Sequence, residues 1–195
     1  LWGQEKPGDL VAVDFETYYD DEVSISKLSA WKYVFHPKSF PYLMSVKTEG
    51  FEWCGDPREF KDWSVFDGKT VCAHNAAFDA LVWKRMAADG VVPSGLAIKR
   101  WVCTADLTAY LRIRRSLASA MLHLYGEKVS KQERDLAKGK TARDMKSDGS
   151  WDRMVEYGLN DSRHCWRIAC DHLSKWPAQA QFVSESNIKA KWGGV

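Results

Sequence analysis

The chain has 195 residues, 45% of them apolar, which is enough for one sizeable core and too few for two independent ones. Its 28 lysines and arginines almost balance its 26 aspartates and glutamates. The resulting net charge of +2 neither requires nor excludes a polyanionic partner. We therefore expect a single domain over residues 1–195, and any nucleic-acid function must be argued from local features.

Cysteine usage and hydropathy both bear on the compartment. The five cysteines form no Cys-x-x-Cys pair and lie in apolar stretches, as buried thiols in a reducing compartment do. No run approaches the roughly 18 apolar residues of a membrane span, and residues 1–7 lack the basic start and apolar centre of a signal peptide. We expect a cytoplasmic protein without a membrane partner.

Five short apolar segments are predicted as strands. The first, 10–15, alternates Val11, Val13 and Phe15 with smaller or acidic residues. The second and third are separated by a short connection with a glycine, which predicts an antiparallel hairpin. The other strands are predicted at 42–46, 51–54, 70–73 and 100–104.

Helices are predicted mainly in the second half of the chain. Asn75 is expected to cap a helix that ends near Gly90, and Ser116 to cap the helix at 117–125. Further helices are predicted at 106–111 and 151–172. Because strands come first and then alternate with helices, the pattern predicts an α/β fold with one mixed five-stranded sheet flanked by helices.

Two segments are predicted to lie outside this layered core. Across 127–150 the apolar pattern fails and lysines and arginines accumulate, which predicts a flexible charged loop. Acidic residues in the same stretch offset that charge, so a solvated loop and a nucleic-acid contact stay equally open. Residues 177–195 are predicted as a C-terminal extension.

The first candidate for chemistry is an acidic pair on the first strand. Asp14 and Glu16 are two residues apart, so the period of a strand places both carboxylates on one face and Phe15 on the other. Two neighbouring anions repel each other, and a divalent cation would relieve that repulsion. A solvated strand end is the more frequent explanation of such a pair, so the interpretation depends on partners elsewhere.

Two further acidic positions supply those partners. Asp79 lies near the start of the helix after the fourth predicted strand, where the helix dipole alone could explain an acid. Tyr157 and Asp161 are four residues apart on one helix face, and Gly158 between them permits close backbone approach. Asp161 falls on the apolar stripe of this helix, where a carboxylate rarely occurs without a partner or a metal.

Together these motifs resemble the DnaQ-like exonuclease superfamily, which has a ribonuclease H-like fold. Asp14 and Glu16 match its Asp-x-Glu, Asn75 and Asp79 its Asn-x-x-x-Asp, and Tyr157 with Asp161 its late Tyr-x-x-x-Asp. The tyrosine marks the DEDDy subgroup. The stretches 13–17, 73–78 and 116–117 are similar, more closely, to the proofreading exonuclease domain of phage-type family A DNA polymerases.

The resemblance implies a 3′-to-5′ exonuclease with two divalent ions, Mg²⁺ or Mn²⁺, acting in phage replication or proofreading. By similarity, Asp14 would bridge both ions, Glu16 and Asp161 would complete one metal site, and Asp79 would hold the second ion through waters. Tyr157 would orient the attacking water. The implied partner is DNA with a single-stranded or frayed 3′ end, and a DNA polymerase is a second candidate partner.

Several residues are candidates for binding the nucleic acid. Thr17 and Asn75 lie beside the acidic motifs, although turn and cap roles explain such residues more often. Phe78 is the aromatic residue that precedes Asp79 in the family pattern. The densest basic cluster could steer phosphates or could satisfy the dipole of a helix end, and both readings stay open. It comprises Arg112, Arg114 and Arg115.

Two other functions remain open at this point. An exoribonuclease of the same superfamily would use the same carboxylates, because the chemistry does not depend on the sugar. A catalytically silent module could keep the fold in order to bind nucleic acid or a partner, because a fold does not imply an activity. The complete set of four carboxylates and a tyrosine argues against the silent module, since an unused anionic cluster destabilises the protein that retains it.

Overall fold

The computed structural model describes residues 5–130 and 132–192, and its centre is a five-stranded mixed sheet. The strands lie in the order β3-β2-β1-β4-β5, so β1 occupies the middle. Every predicted strand is present, with ends within two residues of those expected. The strands are β1 (Leu10–Thr17), β2 (Pro41–Lys47), β3 (Glu52–Gly55), β4 (Thr70–Ala73) and β5 (Arg100–Cys103).

Strand direction sets where the ends of the strands meet. β2 pairs antiparallel with both β1 and β3, which confirms the predicted hairpin. β4 pairs parallel with β1, and β5 parallel with β4. The carboxyl ends of β1, β4 and β5 therefore share one edge of the sheet. The acidic end of β1 lies at that edge.

Eight α-helices lie within the described ranges. The predicted long helix at 151–172 is confirmed, while the helix predicted from 106 begins at Thr104 because it follows β5 without a loop. No helix of the described residues is long and apolar enough to cross a membrane. The helices are α1 (Ala30–Val34), α2 (Ala76–Ala88), α3 (Thr104–Tyr110), α4 (Leu117–Tyr125), α5 (Gln132–Leu136), α6 (Ala142–Asp148), α7 (Trp151–His172) and α8 (Ala178–Trp192).

The two faces of the sheet bury two different sets of side chains. Val11, Val13 and Phe15 of β1 enter a core that also contains the buried side chains of α2. Leu10 and Ala12 point the other way, into a core shared with α7. Because side chains alternate along a strand, Asp14 and Glu16 continue the face that meets α7. The strand thus presents its carboxylates to the helix that carries the other predicted site residues.

The segment 127–150 contains more regular structure than the sequence pattern predicts. Two short helices, α5 and α6, lie where a loop was expected. Ala137 and Met145 from this segment are buried in a small cluster with Tyr42, Leu43 and Met154. These contacts with β2 and α7 anchor the segment against the core.

The predicted C-terminal extension also contains a helix. α8 begins directly after Pro177, buries Ile188 in the core beside α2, and packs against α2 and β5. The last three residues of the extension lie outside the described residues. Packing of α8 against the sheet makes most of this segment part of the layered structure.

Candidate active site

Asp14 and Glu16 project from β1 where its pairing with β2 becomes irregular. Glu16 lies opposite Leu43, but Thr17 lies opposite Pro41, so the register shifts between Glu16 and Thr17. Proline has no N–H for a ladder hydrogen bond, which suits a position where pairing ends. The irregularity lets the chain turn away just after the second carboxylate.

Helix α7 brings Tyr157 and Asp161 to the same place because Gly158 packs tightly on the sheet. A Cβ atom added to Gly158 would lie 2.7 Å from Leu43 Cδ2 and 3.5 Å from Cys54 Sγ. Any larger side chain would push α7 outward, which explains the glycine in this helix. The predicted close backbone approach at Gly158 is thus present, and it fixes the distance from α7 to the carboxylates of β1.

Three carboxylates meet at this junction of strand and helix. Oxygen atoms of Asp14, Glu16 and Asp161 all lie within 4.8 Å of one another, close enough to share one cation. Asp79 is not a member of this group, although it lines the same cleft. It is almost completely buried at the start of α2, where the backbone amides of Phe15 and of Asp79 itself donate hydrogen bonds to it.

Burial and mutual repulsion disturb the titration of this cluster. Burial, followed by the charges of Glu16, Asp161 and Asp79, holds the pKa of Asp14 well above its usual value. Burial and Asp161 raise the pKa of Glu16 to about 8. Burial also raises the pKa of Asp79. Binding of protons or of a cation would relieve this repulsion.

The oxygen atoms of the cluster are suited to a divalent ion. Asp14 Oδ2 is buried and has no hydrogen-bond partner among the described residues. A buried anionic oxygen without a partner is costly unless a cation or a proton satisfies it. Carboxylates are hard ligands, which favour Mg²⁺ or Mn²⁺ over softer metals.

Tyr157 is held in the cleft as a neutral phenol. Its hydroxyl is hydrogen bonded to Asp161, and burial together with the charges of Asp161 and Glu16 raises its pKa. A phenol with a raised pKa does not act as a base at neutral pH. Tyr157 can therefore orient a water molecule by hydrogen bonding but cannot remove its proton.

The cleft around these residues has a volume of about 630 Å³. Three of the six predicted nucleic-acid contacts line it. Thr17 is bonded to the Tyr33 hydroxyl at 2.7 Å, and Phe78 stacks on the Tyr33 ring at a centroid distance of 6.2 Å. Asn75 is the third, and its side chain is exposed.

Asn75 occupies the cap position of α2 but does not perform the predicted capping. Its backbone lies in the left-handed region at φ 100°, and its side chain makes no capping hydrogen bond. Positive φ is uncommon for a residue other than glycine and is found preferentially at functional positions. The conformation leaves the carboxamide at the cleft wall rather than on the helix end.

The three predicted basic contacts do not line this cleft. Arg112 and Arg114 are exposed, and Arg115 forms an ion pair with Asp106. The backbone carbonyl of Arg115 accepts a hydrogen bond from the His74 ring at 2.7 Å, which ties this turn to the end of β4. Of the three arginines, Arg115 contacts a residue that lines the cleft, and it does so through its backbone.

The sequence pattern included Arg134 among the cations of the segment 127–150 but did not single it out. It is the one arginine among the residues that line the cleft. Its charge lowers the pKa values of Asp14 and Glu16, against the effects of burial and repulsion. The Tyr19 hydroxyl donates to the Arg134 carbonyl at 2.8 Å, and Gly139 N–H donates to the Tyr19 carbonyl at 2.8 Å. These two hydrogen bonds fix α5 beside the end of β1 and so hold Arg134 near the carboxylates.

No family model matches the chain, and no curated protein matches it in sequence. Several solved structures share its fold. RNase D of Escherichia coli, an exoribonuclease involved in structured RNA processing, has a TM-score of 0.60 at 18% identity over 94% of this chain. RNase D of Trypanosoma brucei has a TM-score of 0.63 at 9% identity over 94% of the chain. NrnC of Brucella melitensis, solved with bound Mg²⁺, has a TM-score of 0.56 at 15% identity over 95% of the chain.

These similarities establish the fold. The mixed sheet flanked by helices is the predicted ribonuclease H-like fold, and it matches the fold of the two RNase D structures. The chain spans 45% of the E. coli RNase D chain, 66% of the T. brucei chain and 82% of the NrnC chain. The similarity to the proofreading domain of DNA polymerases stays a prediction.

Proposed function

We propose that this protein is a metal-dependent 3′-to-5′ exonuclease that releases nucleotides one at a time from a nucleic-acid end. The observation that carries the proposal is the convergence of Asp14, Glu16 and Asp161 within 4.8 Å, with the neutral Tyr157 bonded to Asp161. Phosphodiester hydrolysis needs an activated water and compensation of charge on the phosphate. Carboxylate-bound divalent ions supply both by lowering the pKa of a water molecule and polarising the phosphate.

Each residue of the cluster has a proposed task. Asp14, Glu16 and Asp161 would hold one ion directly, and Asp14 would also contact a second. Asp79 would reach that second ion through water, which agrees with its place outside the close group. Two divalent charges would offset the four carboxylates, so the repulsion that raises the pKa values of Asp14 and Glu16 would disappear on binding.

The cleft walls have proposed tasks as well. Tyr157 would accept a hydrogen bond from the attacking water and aim it at the phosphorus. Asn75 and Thr17 would contact the terminal nucleotide, and Phe78 would pack against its base or sugar. Arg134 would bind a non-bridging phosphate oxygen, since a guanidinium group matches phosphate geometry with two parallel hydrogen bonds.

The proposed substrate is DNA with a single-stranded or frayed 3′ end. The motifs at 13–17 and 73–78 support this choice through their resemblance to polymerase proofreading domains, and the proposed context is phage replication, with a DNA polymerase as partner. A second candidate is an exoribonuclease. The names of the structural relatives favour that candidate, because two of them are called RNase D and one of these is described as an exoribonuclease.

One digestion experiment tests the proposal. DNA and RNA oligonucleotides of one sequence, each labelled at the 5′ end, are incubated with the protein in Mg²⁺, Mn²⁺ or chelator. A ladder shortening by single nucleotides, dependent on metal and lost in Asp14→Asn, is expected. Faster shortening of RNA would favour the exoribonuclease. Oligonucleotides left intact by the folded protein in both metals would leave only the silent binding module.

Tyr157→Phe is expected to lower kcat by about tenfold to a hundredfold, because one hydrogen bond that positions the water is worth about 1.5–3 kcal/mol in a charged site. The phenyl ring keeps the packing of Tyr157, so the melting temperature and the metal affinity are expected to stay close to those of the wild type. Single-turnover hydrolysis, metal titration and thermal unfolding measure the three quantities.

Tyr125→Phe is the matched control for this variant. The Tyr125 hydroxyl donates to Asp171 of α7 at 2.9 Å, so the substitution removes another tyrosine–aspartate bond to the same helix. Its kcat is expected to equal that of the wild type. Equal losses in the two variants would assign the effect of Tyr157→Phe to the stability of α7 and contradict a role in positioning water.

Arg134→Gln is expected to tighten divalent-metal binding about threefold to tenfold while it lowers kcat. The positive charges of the guanidinium group and of a bound metal ion repel each other, and both are attracted to Asp14 and Glu16. Repulsion from an exposed charge of this kind weakens metal binding by on the order of 1 kcal/mol after solvent screening. Loss of the arginine also removes a proposed phosphate contact. Metal titration without substrate separates the first effect from the second.

Arg153→Gln controls for the loss of one positive charge near α5. Arg153 is exposed on α7 and interacts with Glu133 at 3.7 Å. The metal dissociation constant and kcat are both expected to stay within a factor of two of wild-type values in this variant. Weaker metal binding by Arg134→Gln would show that the arginine supports the metal site instead of competing with it.

A further inference from the structure

A second cavity, with a volume of about 460 Å³, lies beside the carboxylate cleft and has the opposite charge. Its lining contains four cationic side chains and no aspartate or glutamate. Over the whole chain positive and negative side chains almost balance, so this segregation is a local feature. We call this cavity the basic groove, and its cations are Lys38, Arg58, Arg143 and Lys146.

The cations of the basic groove are only partly neutralised. Lys38 is 3.7 Å from Asp20, and Arg58 is paired with Asp56, with 2.8 Å between Nε and Oδ1. The described residues form no salt bridge with Arg143, which is exposed. Lys146 lies 4.8 Å from the centroid of the Trp151 ring and interacts electrostatically with Asp56, so Arg58 and Lys146 share one carboxylate. The groove therefore keeps a positive potential that favours an anionic ligand.

One wall of the groove is aromatic. Phe40, Tyr18 and Tyr42 line it together with the aliphatic parts of Pro41 and Ala142. The Arg58 guanidinium lies 5.1 Å from the centroid of the Phe40 ring. Tyr42 is buried, whereas Tyr18 and Phe40 are partly exposed. Cations beside accessible aromatic rings are the combination that binds single-stranded nucleic acid, since phosphates meet the charges and bases stack on the rings.

The groove adjoins the candidate active site. Tyr18 directly follows Thr17, which lines the carboxylate cleft. Tyr42 lies close enough to Glu16 for the two groups to interact electrostatically, and it also lines the groove. The groove and the cleft therefore lie next to each other at the end of β1, close enough for one nucleic-acid strand to contact both.

We propose that the basic groove binds the phosphates and one base of the substrate strand on the 5′ side of the terminal nucleotide. The proposal rests on the proposed exonuclease function for the identity of the strand, but the binding itself requires no hydrolysis. Phosphate contacts do not distinguish bases, so the groove would confer affinity for longer strands of any sequence.

Arg143→Gln/Lys146→Gln tests the groove. Both positions are exposed on α6, and the capping box between Thr141 and Asp144 stays intact, so the helix is retained. Binding of a labelled 12-nucleotide strand and of a trinucleotide is measured by anisotropy at several salt concentrations, in an Asp14→Asn background that preserves the strand. Affinity for the 12-mer is expected to fall about tenfold, and the salt slope by about 1.4, as two lost contacts to a single strand predict.

Lys69→Gln/Lys99→Gln is the charge-matched control. These lysines precede Thr70 and Arg100, the first residues of β4 and β5, and so lie at the edge of the sheet opposite the carboxylates. Their removal is expected to change 12-mer affinity less than twofold. The proposal would be overturned if the groove and control variants lost affinity for the 12-mer equally. It would also be overturned if the groove variant lost affinity for the trinucleotide and the 12-mer equally.

The same measurements separate the groove from the enzymatic function. Loss of 12-mer affinity in the groove variant, combined with absence of hydrolysis by the wild-type chain, would support the groove and contradict the exonuclease. Hydrolysis by the wild-type chain, with 12-mer affinity unchanged in the groove variant, would overturn the groove and leave the exonuclease standing.

Discussion

Asp14→Asn is expected to lower kcat at least about a thousandfold and, at the same time, to stabilise the metal-free protein. The carboxylate is proposed to contact both ions, which would stabilise the charge of the transition state. Loss of about 4 kcal/mol of this stabilisation corresponds to about a thousandfold loss in rate. In the absence of metal the same carboxylate is repelled by Glu16, Asp161 and Asp79. The asparagine side chain has the same shape, carries no charge and can donate a hydrogen bond to a neighbouring carboxylate.

The stability gain is the more diagnostic half of this prediction. We expect the free energy of unfolding in chelator at pH 8 to rise by about 1–3 kcal/mol, the typical cost of a buried polar atom without a partner, because the asparagine amide is uncharged and can donate to a neighbouring carboxylate. Denaturant unfolding with and without metal measures it. A loss of stability in Asp14→Asn would show that the aspartate is a structural residue, and retained activity would show that it is not a metal ligand.

Asp62→Asn is a suitable control for both expected effects, the loss of kcat and the gain in stability. Asp62 is exposed, and its side chain makes no capping hydrogen bond to the turn that follows it. Both the rate and the free energy of unfolding are expected to stay at wild-type values. A comparable stabilisation in this variant would trace the effect to net charge rather than to the cluster.

The parts of the site that are visible in the sequence are those governed by local periodicity. Asp14 and Glu16 are two residues apart on a strand, and Tyr157 and Asp161 four residues apart on a helix, so each pair shares a face by backbone geometry alone. Gly158 is also interpretable, because a helix that packs closely on a sheet needs a residue without a side chain at the contact. Sequence spacing therefore predicts each half of the site.

Arg134 could not be predicted in the same way because its position depends on contacts that are distant in sequence. The hydrogen bond from Tyr19 to the Arg134 carbonyl joins residues 115 positions apart. In the sequence, Arg134 is one of several cations in a stretch without apolar periodicity. The buried residues of this segment are isolated: Ala137 directly follows α5, and Met145 lies in α6. Single buried positions of this kind produce no detectable period.

Helix α8 escaped prediction for a different reason. Its buried face is largely polar, with Gln181, Ser184 and Glu185 all less than 10% exposed. Gln181 donates to the Trp176 carbonyl at 2.6 Å and Ser184 to Asp106 at 2.5 Å, so hydrogen bonds replace much of the apolar contact. A helix anchored by polar groups has no apolar stripe, and hydrophobic periodicity cannot reveal it.

The metal-free protein is expected to lose stability as the pH rises from about 5 to 8, and divalent metal is expected to cancel that loss. The pKa of Glu16 is raised from 4.5 to about 8 in the folded chain, and the pKa values of Asp14 and Asp79 are also raised. The folded state therefore holds protons that the unfolded state has released. Under that condition the free energy of unfolding falls as the pH rises.

The pH window and the size of the effect follow from the Glu16 shift. Its contribution to stability is complete below the unfolded pKa of 4.5 and is lost as the pH passes through about 8. One proton changes the free energy of unfolding by at most about 1.4 kcal/mol per pH unit, so the loss from pH 5 to pH 8 is up to about 4 kcal/mol. Denaturant unfolding in chelator at several pH values measures this slope.

Metal binding is expected to act in the opposite direction because the ions bind the deprotonated carboxylates. Metal affinity rises with pH until the cluster is ionised, and metal at a hundred times its dissociation constant adds about 2.7 kcal/mol of stability. Sodium chloride at equal ionic strength controls for charge screening. It is expected to restore only a small part of the stability that is lost as the pH rises. Asp14→Asn should flatten both curves, since it removes the charge at the centre of the cluster. A wild-type stability that rises with pH in chelator would mean that the carboxylates are already ionised and satisfied in the free protein, and the metal would then not be needed to relieve their repulsion.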